Sequence, residues 1–549
     1  MPELPPVGHL ARLRAHLAAP RGAKRIDALL STDDAAAAVA ALSPNEVFEL
    51  VHDVGFEDAG DLIALATASQ IQGCVDLDAW AKDTLEVAAV RPWLEALIEC
   101  GFEKVSEVWA GLDAELRALI LQRLVKVYDV TLNEGPEEDN EAAIMETSDR
   151  FFQLELPDDD RSQRLIMQLI EDMYRGDPDL ARHTIMAARS EPPAELEEQA
   201  YRWRAGRMAD LGYVDFYEAL ELFRPLDLDK VTVGEGTQDR IVEEEMPRIS
   251  LAIAEQVIGK TFLARALATF DDPAEAERLE TALTVLVNKV LAAARAKPGQ
   301  PEVMRRGAEY ATATLSLGLE AVARGDLGRG QAALRSISLM RLFRAGYTLS
   351  QKLAKLAQAL APRALTAGSP ARELVAALCS PRPLFARAAD EPPAAGLRPF
   401  ESQADLRSAG ELLTGLTLRI ALVEGLGVNV LAMGQAPEPR PSLDDHIRTA
   451  VAHAIVGDEL AARTLTQGEL TALRDGHMAG GKLLPAAREA AHAAIERRVD
   501  AAQLSVAAPI IGRLVDGWLA DLEAILGAVA DAEIDPRFVE GVLVDVKRS

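Results

Sequence analysis

Between residues 24 and 75 the chain carries helix-start signals about every 12 residues, and helices that short persist in water only when stacked on neighbours. Ser43-Pro44-Asn45-Glu46 has the form of a capping box. The serine hydroxyl accepts from the third helical amide, the glutamate reaches back to the serine amide, and proline takes the first helical position. Val47, Phe48, Leu50 and Val51 follow at helical spacing, and Gly55 closes the turn. Thr67-Ala68-Ser69-Gln70 repeats the pattern, as do Ser442-Leu443-Asp444-Asp445 and Thr466-Gln467-Gly468-Glu469. These signals predict stacked short helices forming a superhelical, repeat-like array, followed by a second helical domain.

Aromatics make up 5% of the chain, and the rest is rich in Ala, Leu, Glu and Arg, side chains that lose little rotamer freedom on a helix. No run of alternating β-branched residues stands out, so the expectation is an all-α protein with incidental strands. At 549 residues the chain exceeds the size of a single core. Three breaks divide it: the acidic loop Asn133–Glu141, the stretch Asp227–Gln238 with Gly234 and Gly236, and the proline-rich stretch Ser380–Pro399. The expected regions are an acidic short-helix array over 1–135, a second helical group over 142–230, and two further helical regions over 240–380 and 400–549. Helices are expected near 246–269, 273–295, 301–323 and 327–361, with Ala323–Gly328 as a hairpin turn, and Leu10–Leu17 as a short amphipathic piece at the start.

The net charge of −28 is unevenly placed: residues 1–250 hold 51 acidic and 24 basic side chains. Such a surface repels nucleic acid and anionic membranes, because both bind through Lys and Arg. Solubility is one use of the excess charge, and docking of a basic protein partner is the other. The three scattered cysteines form no C-x-x-C pair and fit a reducing compartment. The first residues lack the basic and apolar regions of a signal peptide, and Arg419, Glu424 and three glycines interrupt the longest apolar stretch, Leu412–Met433. A cytoplasmic protein is expected.

Catalytic motifs fail on spacing or context. Gly259-Lys260-Thr261 ends like a phosphate loop, but Ala254 stands where its first glycine is needed. Gly325, Gly328 and Gly330 are spaced wrongly for a dinucleotide fingerprint. His446 and His453 are seven apart, whereas a zinc pair on a helix is spaced by three or four; the neighbouring Asp444 and Asp445 serve as first-turn caps. Asp475–Lys482, glycine-rich around His477, reads as an interhelical loop. The acidic clusters Glu137–Asp139, Asp158–Asp160 and Glu243–Glu245, with Asp76 and Asp78, and with Asp227 and Asp229, read as solvated faces. No catalytic residue, metal ligand or cofactor is expected.

One stretch combines cations and aromatics inside the acidic half: Tyr201-Arg202-Trp203-Arg204-Ala205-Gly206-Arg207, continuing to Tyr213, Phe216 and Tyr217. Trp203 and Arg207 are four apart, a spacing that allows guanidinium–indole stacking, with Arg204 alongside. Trp203, Arg204, Arg207 and Tyr213 are therefore the candidate binding residues. The alternative is structural: arginines held by carboxylates beside a core aromatic.

Leu42–Leu62 with Asp76–Trp80, and Tyr201–Tyr213 with Tyr217–Phe223, together resemble a bacterial family catalogued as a domain of unknown function, over most of residues 25–549. The resemblance carries no activity, substrate or catalytic residue. Residues 25–80, with their short capped helices, also look like the superhelical N-terminal domain of bacterial magnesium transporters, which implies a regulatory or scaffolding role. The leading expectation is a protein-interaction or regulatory module. The alternative is an enzyme or small-molecule receptor, which requires a deep interhelical pocket with convergent polar groups; a purely structural or oligomer-forming role is the third.

Overall fold

The computed structural model describes residues 22–137, 141–210, 213–214, 216–233, 260–270, 272–296, 301–366, 371–386, 396–435, 440–457, 459–504, 506–527 and 539–545. The sequence features at Leu10–Leu17, Gly234 and Gly236, Glu243–Glu245 and Gly259 lie outside these residues, as do Glu138 and Asp139. Two units are present, Met1–Ala345 and Gly346–Ser549. The chain is predominantly α-helical.

The first unit opens with α1 (Ala23–Leu30), α2 (Ala35–Ala40), α3 (Pro44–Val54), α4 (Gly60–Leu65) and α5 (Ala68–Asp78). The hairpin β1 (Trp80–Ala81) and β2 (Thr84–Leu85) leads to α6 (Val87–Glu99), α7 (Phe102–Gly111) and α8 (Ala114–Leu124). After a small sheet come α9 (Asp160–Gly176), α10 (Pro178–Ser190) and α11 (Pro193–Asp210). From α1 to α10 each helix packs on the next but one: α1 on α3, α2 on α4, and so on to α8 on α10. This stacking buries helices too short to stand alone, as their spacing predicts. Both expected capping boxes form, at Ser43 with Glu46 and at Thr67 with Gln70. The centre of the array is α5, buried from Gln70 through Leu77.

At the α3–α5 contact, a Cβ on Gly73 would lie 2.6 Å from Cβ of Pro44. A proline ring at a helix start cannot move aside, so Gly73→Ala is expected to cost about 1–2 kcal/mol, read from a urea midpoint; an unchanged midpoint would mean the two helices slide apart freely.

The strands are more than incidental. β3 (Lys126–Asp129), β4 (Ile144–Glu146) and β5 (Phe152–Glu155) form an antiparallel sheet in the order β3-β5-β4. The expected boundary around 135–142 thus falls inside one sheet, because the acidic loop connects two of its strands. The remainder of the unit includes α12 (Phe216–Leu220), α13 (Phe262–Leu267), α14 (Pro273–Ala293), α15 (Pro301–Ala323) and α16 (Leu327–Ser336), with α15 packed on α13, α14 and α16. The single helix expected over 327–361 is two helices, since Ser338 caps a new start at α17 (Leu339–Leu360).

In the second unit α18 (Ala371–Leu378) leads through a pairing of β6 (Phe385–Ala386) with β7 (Leu397–Arg398) to α19 (Gln403–Gly425). Then come α20 (Val430–Gln435), α21 (Leu443–Gly457) and α22 (Gln467–His477), the hairpin β8 (Met478–Ala479) and β9 (Lys482–Leu483), α23 (Pro485–Ala501) and α24 (Ala508–Gly527). Helices α19, α21, α23 and α24 pack on one another in every pairing, around Leu416, Ile447, Val451, Ile495, Trp518 and Leu522. The glycines expected as an interhelical loop after His477 form the β8–β9 turn, where Gly480 and Gly481 have φ of 57° and 76°.

One sequence of elements occurs in both units. A Ser-capped helix (α3, α21) is followed 24 residues later by a Thr-capped helix of 11 residues (α5, α22), a two-residue hairpin and a further helix (α6, α23). Trp80 pairs with Leu85, and Met478 with Leu483, in the same register. In each case a glutamate from a later helix closes the hairpin: Glu197 accepts from the Leu85 amide at 3.0 Å, and Glu523 from the Leu483 amide at 3.0 Å.

Candidate interaction site

Helix α11 carries three of the four candidate residues, and it docks largely through charge. Its inward apolar contacts are few, with Leu196, Ala200 and Met208 as the buried ones. At its start, Glu197 takes the Leu85 amide and pairs with Arg123 at 3.0 Å. Farther on, Nε of Arg204 donates to the Asp76 carbonyl at 2.9 Å. Arg207 grips the Asp76 carboxylate with Nε at 2.6 Å and Nη2 at 3.2 Å, and its Nη1 donates to Asp113.

Asp76 is wholly inaccessible, with 0% exposure. Burial pushes its carboxyl above the usual range, and Arg207 and Arg204 oppose that shift. The sequence expectation of a solvated Asp76 is therefore wrong. The residue lies on a helix buried all round from Gln70 to Leu77, where a carboxylate survives only with charged partners.

The expected Trp203–Arg207 stacking does not form, because Arg207 turns inward to the two aspartates. Stacking falls instead to Arg204, whose guanidinium lies 5.5 Å from the Trp80 ring and 5.9 Å from Tyr201, the two rings being 5.9 Å apart. Burial holds the Arg204 guanidinium below its ordinary pKa. Tyr213 is also buried, its amide donating to the Met208 carbonyl at 2.8 Å. Burial, and then the charge of Glu49, push its phenol upward. Only Trp203 faces outward, 58% exposed, among exposed Gln199, Arg202, Ala205 and Gly206.

Arg204, Arg207 and Tyr213 are thus drawn into the core, and Trp203 is separated from them on the outer face. Sequence reasoning missed Asp76 and Asp113 as partners of the arginines. Asp76 lies 131 residues from Arg207, and no local signal links them.

Other clusters are likewise committed to structure. Asp444 takes Arg419 at 2.9 Å and the Trp518 indole at 2.7 Å, and His453 meets the Arg463 carbonyl at 3.0 Å. Among the described residues, no group of three or more His, Cys, Asp or Glu side chains is placed to hold a metal ion. No helix among them is long and apolar enough to cross a membrane. A cleft of about 430 Å³ in the second unit is lined by Leu426, Leu460, Glu459, Arg497 and Arg498, with Gly425 and three alanines. Arg498 there is tied to the Gly425 carbonyl, and no Ser, Thr, Cys or His lines the cleft.

No curated protein and no solved structure matches the chain. Residues 3–545 match a family described as Family of unknown function (DUF6178), nearly the whole length of the sequence. The chain, with its stacked short helices and the inward-facing arginines of α11, belongs to that family.

Proposed function

We propose that the acidic part of the first unit is a protein-docking module that receives a basic segment of a partner protein, with Trp203 as its apolar anchor. The observation that carries this reading is the acidic excess of residues 1–250, together with an exposed tryptophan. Residues 1–250 hold 51 acidic against 24 basic side chains, and several of the cations are turned inward. Nζ of Lys104 donates to the Ala66 carbonyl, Arg117 to the carbonyls of Trp109 and Ala110 at 2.9 and 3.0 Å, and Arg204 and Arg207 to Asp76. The excess of acidic side chains favours a basic protein and opposes nucleic acid.

Trp203 provides the test. The other four tryptophans, Trp80, Trp93, Trp109 and Trp518, are buried, so Trp203 alone supplies solvent-exposed emission. An unstructured lysine–arginine peptide added to the full chain should shift that emission to the blue and shield it from acrylamide, and raising salt from about 0.05 M to 0.5 M should reverse both. Trp203→Ala should weaken the peptide by about 2 kcal/mol, roughly thirtyfold. Binding that leaves Trp203 fully quenchable would remove it as the anchor, and no binding at low salt would end the docking reading.

A further inference from the structure

We infer that the free edge of the β3–β5–β4 sheet receives an extended basic segment of a partner protein as a fourth strand. The inference rests on the docking reading above and specifies where and how the partner's backbone is held.

The two edges of this sheet are treated differently. At β3 the outward backbone groups of Asp129 are taken: its amide donates to Oε2 of Glu134 at 3.0 Å, and its carbonyl accepts from the Glu134 amide at 3.1 Å. Arg189 in turn holds Glu134 in place at 2.8 Å. That edge is blocked at its Asp129 end. At β4 the bonds to β5 run through alternate residues: the Leu156 amide donates to the Ala143 carbonyl at 2.9 Å, and the Thr147 amide to the Phe152 carbonyl at 3.0 Å. With Met145 opposite Leu154, the period of two turns the amides and carbonyls of Ile144 and Glu146 away from β5. Those four groups form an unpaired edge, and both residues are exposed, Ile144 by 37%.

The side chains say which strand fits. Ile144 and Glu146 stand on the solvent face of the sheet, in the rows of Glu155 and Gln153. A strand laid against them would place an apolar residue opposite Ile144 and, two positions along, a cation opposite Glu146. Among the described residues Glu141 and Glu146 form no ion pair, and the connection preceding β4 is acidic in sequence. A second copy of β4 laid parallel, or antiparallel about Glu146, would set carboxylate against carboxylate, whereas a basic segment meets Glu146 with a cation, so the edge favours a basic segment over a copy of itself.

The test uses the full chain and a synthetic peptide repeating valine-threonine-lysine-threonine, which sets valine and lysine two positions apart on one face. The control is the same peptide with every backbone amide N-methylated, which keeps the charge and cannot donate. Amide exchange over residues 142–147 should slow with the first peptide and not with the second. Ile144→Pro deletes an outward donor while leaving the β4–β5 bonds, and it should lower affinity at least tenfold. Glu146→Lys, which removes no backbone group, should do the same by charge, and it stands as the second variant if the proline disturbs the sheet. At a peptide concentration that saturates the variant, Trp203→Ala should leave the protection of 142–147 intact. Equal binding of both peptides, or affinity unchanged in both β4 variants, would overturn the edge while leaving acidic docking in place. Loss of all peptide binding at low salt would overturn both readings.

Discussion

Replacing Arg207 by methionine is expected to destabilise the folded chain by about 3–5 kcal/mol, the cost of leaving a buried carboxylate without its partner. Asp76 has no access to water, and Arg207 supplies both donors to its carboxylate. Arg204 donates to the Asp76 carbonyl and not to its carboxylate. The loss should be read as a lower urea midpoint by far-ultraviolet circular dichroism. The double replacement Asp76→Leu with Arg207→Met should recover most of the loss, since apolar side chains of similar volume need no partner there. A loss below about 1 kcal/mol for Arg207→Met alone would show that the site admits water or relaxes around the charge.

The second large effect is a pH dependence located at Glu49. Burial raises its carboxyl to about 7 from an ordinary 4.5; the charges of Glu46 and Asp53 add to the rise, and Arg25 opposes it. Buried Tyr213 faces the same group and supplies no charge. A carboxyl whose pKa is raised on folding binds its proton more tightly in the folded chain. Its contribution to stability is therefore greatest below pH 4.5, declines as pH rises, and is lost above 7. Glu49→Gln mimics the protonated form permanently. It should match the parent near pH 4 and exceed it by roughly 2–3 kcal/mol at pH 8, from guanidinium unfolding at each pH. Equal stabilities at pH 8 would mean that the Glu49 carboxylate reaches water when charged.

The helix starts were legible because capping is local chemistry. Ser43 and Glu46, Thr67 and Gln70, Ser442 and Asp445, and Thr466 and Glu469 each close their bonds within three residues. The spacing of 24 residues between the two caps of each pair was also present in the sequence, and it marks the arrangement that recurs in the second unit. The sheet was not legible. Its strands are three or four residues long, too short to establish an alternation, and an acidic connection separates β3 from β4.

The sequence by itself determined the helical class, the positions of the capped helices and the acidic excess of residues 1–250, because each depends on composition or on neighbours a few residues apart. Only the tertiary structure decided which way α11 faces. Arg207 finds its carboxylate 131 residues away, Arg204 its carbonyl 128 away, and Glu197 its amide 112 away. Residue types in that stretch announce that charges need partners, but only the packing of α11 against α5 and α8 selects them. That packing turns the half-buried arginines inward and leaves Trp203 outside, because an ion withdrawn from water needs a counter-ion while an indole tolerates water at its edge.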